Sequence, residues 1–273
     1  MVTVQEAIDL ALKQTPVLGT EVVPLEEASG HVLAEDVYSD IDMPPFDKSA
    51  MDGYAVKYED AKNCPSVFDV VGFIPAGVYP DFTIEPGQSA KIMTGAPLPK
   101  GADSVQMVEK TEPLDNGKVK ILESVSPGLH VSKKGEIIQA ETEVISKGTY
   151  ITPAVVSVLA TVGKARLQVH KRPNVGILVT GDELVEVHQK PNPGQIRNSN
   201  GYTLYHQVRE SGAQPELPGI VSDDIGELTK KIAQGLDKDI LLISGGVSMG
   251  DLDLVEDVFE KLAWKASGFC TER

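Results

Sequence analysis

The sequence predicts a multidomain protein of two textures: an α+β region rich in short strands, then a doubly wound, mostly parallel α/β domain. Three observations carry this. From Val22 to Lys147, short β-prone runs alternate with Pro/Gly punctuation such as Pro44-Pro45, Pro86-Gly87 and Pro127-Gly128. After Lys171-Arg172-Pro173-Asn174, buried-type strands alternate with helical patterns, the signature of parallel βαβ units. The chain has 273 residues, a length that favours about two domains. The boundary is drawn at 170/171. The first region holds helices and a β-rich subdomain at about 45–140; residues 171–273 form the α/β domain.

The elements follow in order. Val4, Ala7, Ile8, Ala11 and Leu12 share one helical face. Thr3 with Glu6 three residues on matches a capping box, and Thr15-Pro16 ends the helix. Strands are expected over 67–73, 89–93, 104–108 and 118–122. Asn116-Gly117 accepts the positive φ angles of a tight hairpin turn. Thr152 and Pro153 open a second helix that Gly163 closes. In the α/β part, 175–180 and 240–244 read as buried strands, 214–221 as one extended run, and 202–211 as a helix. Ile225, Leu228 and Ile232 mark another helix face, and Val255, Val258, Phe259 and Leu262 a last one.

Composition narrows the function. Hydrophobic residues are 41% and charged residues 24%, ordinary for a folded globular chain. The net charge is −15, with no Lys/Arg cluster, so neither nucleic acid nor an anionic membrane surface is expected as a partner. No apolar run approaches the ~20 residues of a membrane span. The N-terminus lacks the basic-then-apolar pattern of a secretion signal. Cys64 and Cys270 stand without metal-ligand spacing, and a cytoplasmic location is the expectation.

Ligands of an open α/β sheet bind beyond the carboxyl ends of its strands. Three clusters fall there: Thr180-Gly181-Asp182-Glu183, Ser222-Asp223-Asp224, and the loop from Ser244-Gly245-Gly246 through Ser248 to Asp253. Small residues admit a ligand close to the backbone, and free amides there favour an anion. Glu183, Asp223 and Asp253 offer oxygens for a hard cation such as Mg²⁺. Each cluster also has a plain structural reading. Either Asp223 or Asp224 suits a helix N-cap, Gly245-Gly246 suits a turn, and Glu183 suits a solvated helix start. Together they point to a phosphate-bearing small molecule with a metal, and the reaction stays open. The chain lacks a Walker A loop and a dinucleotide fingerprint.

Five strings then occur in order: PPFDKSAMDGYA, MTGAPLPKGAD, TGDEL, GQIRNSN and SGGVSMGDLD. Together they resemble the molybdopterin molybdenumtransferase family (MoeA-type), which includes the enzymatic domain of gephyrin. The resemblance covers roughly residues 1 to 265. It implies a cytoplasmic transferase of molybdenum cofactor biosynthesis that inserts molybdate into adenylylated molybdopterin, releases AMP and requires Mg²⁺. It also implies an elongated homodimer with a site shared between subunits. The positions that match are Asp52, Thr94, Glu183, Asp223 and Asp253 as activity-linked residues. Glu183, Asp223 and Asp253 would serve Mg²⁺ and the pyrophosphate. Thr180, Gly181, Asp182, Ser244, Gly245, Gly246 and Ser248 would bind substrate, and Asp52 and Thr94 would act from the partner subunit.

Two departures qualify the match. Ile137 follows Gly135-Glu136 where the family carries a further acid. The last eight residues, 266–273, replace a Lys-bearing Pro-Gly loop, so the parallel sheet is expected to lack its final elements and to leave apolar surface for a partner. A homologue that binds molybdopterin or a partner without turnover is therefore the alternative. A scaffold role has no supporting feature.

Overall fold

The structure is a computed structural model that describes residues 3–245, 254–255 and 258–259. The chain forms two compact units: Met1–Glu35, Gly148–Val156 and Arg166–Arg273 make one, and Asp36–Lys147 with Ser157–Ala165 the other.

The first helix, α1 (Val4–Gln14), carries the capping box: Glu6 N–H donates to Thr3 Oγ1 at 3.3 Å, and Thr3 N–H to Glu6 Oε2 at 2.7 Å. Thr15 caps its end. Its apolar stripe is real but uncovered, with Val4 79% and Leu12 71% exposed. Strand β1 (Thr20–Pro24) follows.

The second unit is built on one six-stranded sheet. Its members are β2 (Gly53–Val56), β3 (Ser66–Ile74), β4 (Gln88–Ile92), β5 (Ser104–Met107), β6 (Thr111–Leu114) and β7 (Lys118–Ile121). Their order is β5-β2-β4-β3-β7-β6, and only β3 with β4 runs parallel. The β6–β7 hairpin turns through Asn116 at φ 61° and Gly117 at φ 71°, the geometry that Asn-Gly tolerates. Two apolar clusters fill the unit, one around Phe68, Val119 and Ile121, the other around Ile74, Ile92 and Val105.

In the first unit β8 (Arg166–His170) pairs antiparallel with β1. Strand β9 (Asn174–Thr180) lies at the centre of a parallel sheet. The extended run expected over 214–221 is broken: β10 (Gln214–Glu216) pairs with Asn174–Gly176 and β11 (Ile220–Val221) with Val179–Thr180. Between them Pro218 has no N–H to give the ladder, and Gly219 turns at φ 98°. Strand β12 (Ile240–Ser244) pairs parallel with Val175–Val179 on the other edge. It is half-buried, not the buried strand expected, and Ile240 is exposed.

The helices cover both faces. Val175, Ile177 and Val179 point to the helix Asn200–Glu210 through Val208, Leu204 and Tyr205. Leu178 points to the opposite face, where Leu228 and Ile232 of the helix Ile225–Gly235 pack with Val221, Val255 and Val258. The alternation of β9 residues between two cores is what a doubly wound sheet requires.

Candidate functional site

The strings Asp47–Asp52 and Met93–Leu98 lie against each other within the second unit. Ser49 N–H donates to Ala96 O, Gly95 N–H to Ser49 O, and Leu98 N–H to Asp47 O, all at 2.8–2.9 Å. This alignment brings Thr94 onto Asp52. The Asp52 Oδ1 accepts from Thr94 Oγ1 at 2.6 Å and from Thr94 N–H at 2.7 Å. The Thr94 hydroxyl, and next its amide, hold the Asp52 carboxyl below its usual range. Nearby, Asp47 accepts from Lys133 Nζ at 2.8 Å and Lys134 N–H at 2.9 Å. Burial pushes the Asp47 carboxyl up, and the two lysine bonds outweigh it, so the group sits low. Ile137, the departure from the family string, is exposed.

The first unit holds a cavity of about 200 Å³ at the carboxyl end of its parallel sheet. It is lined by Thr180 at the end of β9 and Glu183 beyond it, by Arg197 to Ser199 before the next helix and Asn200 at its start, and by Ser244 at the end of β12 and Gly245 beyond it. Backbone bonds assemble it. Ile196 N–H donates to Glu183 O at 2.8 Å and Asn198 N–H to Val185 O at 3.0 Å, which ties the TGDEL turn to the IRNSN string. Gly245, at φ 103°, packs so tightly on Thr180 that a Cβ would lie 2.4 Å from its carbonyl oxygen; a side chain is excluded there. Asn200 Nδ2 reaches Ser244 Oγ at 3.4 Å.

The predicted residues therefore divide. Thr180, Glu183, Ser244 and Gly245 meet at one cavity, with Gly181 between the first two. Asp182 and Asp223 do not line it. They clasp each other: Asp223 N–H donates to Asp182 Oδ1 at 3.1 Å, and Asp182 N–H to Asp223 Oδ2 at 3.3 Å. The helix N-cap falls to Asp224, which accepts from Gly226 and Glu227 N–H at 2.9 Å each. Gly246, Ser248 and Asp253 lie outside the described residues. Among the described residues no three His, Cys, Asp or Glu side chains are placed to hold a metal ion. Asp52 and Thr94 belong to the other unit.

Sequence reasoning gave no role to Asn198 or Asn200, although both stand in a motif string. The helix expected from Tyr202 begins at Asn200 because Asn198 Oδ1 takes the Gly201 N–H at 2.9 Å. The Asn198 Nδ2 and Thr180 Oγ1 are buried with no hydrogen-bond partner among the described residues.

Comparisons with known proteins agree with the strings. Residues 2–163 match the family described as MoeA N-terminal region (domain I and II), and residues 176–269 one described as a probable molybdopterin binding domain. A molybdopterin molybdenumtransferase of Nostoc sp. is 43% identical over 251 residues, covering 90% of this chain and 57% of the relative. That of Bacillus subtilis is 39% identical, covering 89% and 58%. The chain thus spans less than two thirds of the length of these relatives. A crystal structure titled molybdopterin biosynthesis moea protein from Pyrococcus horikosii superposes with TM-score 0.80 at 35% identity, covering 96% of this chain and 67% of that one.

Proposed function

The chain belongs to the MoeA family of molybdopterin molybdenumtransferases, and from that premise we propose that it inserts molybdate into adenylylated molybdopterin with release of AMP. The observation that supports this most is the cavity at the carboxyl end of the parallel sheet, where Thr180, Glu183, Ser244 and Gly245 converge. The glycine lets the two strand ends pack directly on each other, since a side chain there would strike the Thr180 carbonyl, and it is beyond such strand ends that ligands of an open α/β sheet bind.

Mg²⁺ would be held by Glu183, Asp223 and Asp253. Among the described residues the Glu183 carboxylate has no hydrogen-bond partner, and Asp223 keeps Oδ1 outside its bond with Asp182. Such oxygens suit a hard cation that takes only one or two carboxylates beside substrate phosphates. When bound, the ion offsets charge on the pyrophosphate and on the departing AMP.

The residues of the chain do the rest. Gly245, Gly246 and Ser248 hold the phosphate of the pterin. Asp52, fixed and kept ionised by Thr94, serves as an oriented acceptor from a second copy of the chain. A homodimer is part of this reading, and the bare apolar stripe of α1 fits burial against another copy. No helix among the described residues is long and apolar enough to cross a membrane; the cytoplasm is the proposed location.

The test is AMP release from adenylylated molybdopterin with Mg²⁺, with and without molybdate. Molybdate-dependent release that Asp52→Ala and Glu183→Ala abolish is expected. Ligand bound without release would instead identify a binding homologue. Release unchanged in both variants would refute the site.

A further inference from the structure

Asp52 and Thr94 are both exposed, yet the proposed function needs the Asp52 carboxylate held in one place. A solvent-exposed hydrogen bond competes with water and holds weakly by itself. A preorganised group needs neighbours whose own conformations are locked. On the Thr94 side the lock is a turn. Ala96 N–H donates to Met93 O at 3.0 Å, and Gly95, at φ 82°, takes the position that a type II turn reserves for glycine.

The Asp52 side is built differently. The ladder between β2 and β4 has its last rung at Gly53 opposite Ile92, and Val108 N–H donates to Asp52 O at 2.9 Å. Past that rung the two strings part, with Ala50, Met51 and Asp52 on one and Met93 and Thr94 on the other. They meet again at Ser49, whose N–H donates to Ala96 O and whose carbonyl accepts from Gly95 N–H. A third string grips the same place, as Ala50 N–H donates to His130 O at 2.9 Å. Three residues against two make a bulge, and a bulge re-aims the side chain it carries.

The Ser49 side chain spans this bulge. Ser49 has no exposed surface, and a hydroxyl so placed requires partners. It finds them on Met51: Ser49 Oγ donates to Met51 O at 2.5 Å, and Met51 N–H donates to Ser49 Oγ at 3.3 Å. The Met51 carbonyl belongs to the peptide that joins Asp52, so the hydroxyl fixes the last peptide plane before the Asp52 Cα.

We propose that Ser49 is a positioning residue, whose buried hydroxyl holds Met51 and through it aims the Asp52 carboxylate at Thr94. The proposal rests on the role given to Asp52 above and deepens it.

The test reads Ser49→Ala beside Ser104→Ala in the full chain. Ser104 is as fully buried in the same unit, and its hydroxyl serves Ser126 O at 3.0 Å and Gly128 N–H at 3.2 Å, outside both strings. The first reading is the Asp52 carboxyl pKa by carbon-13 NMR, which the Thr94 bonds hold low. The second is molybdate-dependent AMP release. Ser49→Ala is expected to raise that pKa toward the ordinary carboxylate value. It is expected to lower kcat by about tenfold or more with KM within about threefold, because orientation is lost and binding is not. Ser104→Ala is expected to lose comparable thermal stability and to move neither reading. An Asp52 pKa unmoved in folded Ser49→Ala overturns the proposal. So does an unchanged kcat in that variant, or the same response in Ser104→Ala. Should Ser49→Ala not fold, Ser49→Cys keeps the volume and weakens both bonds, and the same readings in it decide. A parent chain that releases no AMP removes the proposed reaction, while the NMR reading still upholds or overturns the hold of Ser49 on Asp52.

Discussion

Replacing Gly201 by Ala sets helix propensity against packing at the cavity. Gly201 is the second residue of the helix Asn200–Glu210, and in a helix interior Ala is better than Gly by roughly 0.5–1 kcal/mol. Here the added Cβ would lie 2.8 Å from Asn198 Oδ1, 2.9 Å from Nδ2 and 3.0 Å from Val179 Cγ2. Overpacking of this kind costs about 1–3 kcal/mol. If the carboxamide withdraws, the buried Gly201 N–H loses its acceptor, worth about 1 kcal/mol more. The net expectation is destabilisation by about 1–3 kcal/mol. Gly226 provides the matched control. It is also second in its helix, and its N–H also donates to an upstream side chain, Asp224. It is exposed, and its added Cβ meets only Asp224 Oδ1 at 3.1 Å. Gly226→Ala should therefore stay within about 0.5 kcal/mol of the unaltered chain. Guanidinium unfolding of both variants reads the difference. Gly201→Ala at least as stable as Gly226→Ala would refute the steric argument and, with it, the claim that the Asn198 carboxamide is held in one orientation.

Further expectations are narrower. Asp224→Ala removes an N-cap with two bonds and should lower stability by about 1 kcal/mol in the same unfolding assay. Leu228→Ala, at a fully buried site between helix and sheet, should lower it by about 2–5 kcal/mol. Thr94→Val deletes the first cause of the low Asp52 carboxyl pKa, so carbon-13 NMR titration should find that pKa moved up toward 3.8, the ordinary value. The sign follows from a depressed folded value. The contribution of Asp52 is present above pH 3.8 and is lost as pH falls through the lower folded pKa, so the variant should show a smaller acid-induced loss below pH 3.8. Leu12→Glu charges the bare stripe of α1; sedimentation should shift from dimer to monomer, and a parent chain that sediments as a monomer would remove the dimer from the proposed function.

Much of this architecture was written locally. Thr3 and Glu6 fix the start of α1, Asn116 and Gly117 turn the β6–β7 hairpin, and Thr152, Pro153 and Gly163 bound the helix Pro153–Thr161. Each signal acts through hydrogen bonds or φ angles of residues a few positions apart, so a linear reading captures it. The family strings likewise pointed to the strand ends after β9 and β12 because backbone approach demands small residues in sequence. What a linear reading left open depended on partners far along the chain. It allowed either Asp223 or Asp224 as a cap; the choice was made by Asp182, whose amide and carboxylate engage Asp223 across 41 positions. It ran 214–221 as one strand, where the two halves instead meet opposite ends of β9. It gave Asn198 no role, because an asparagine acquires one only when tertiary packing buries its amide and takes its oxygen, here for the Gly201 N–H. Residue type and local spacing set the elements and their chemistry; burial and long-range pairing decided which polar groups pair with one another.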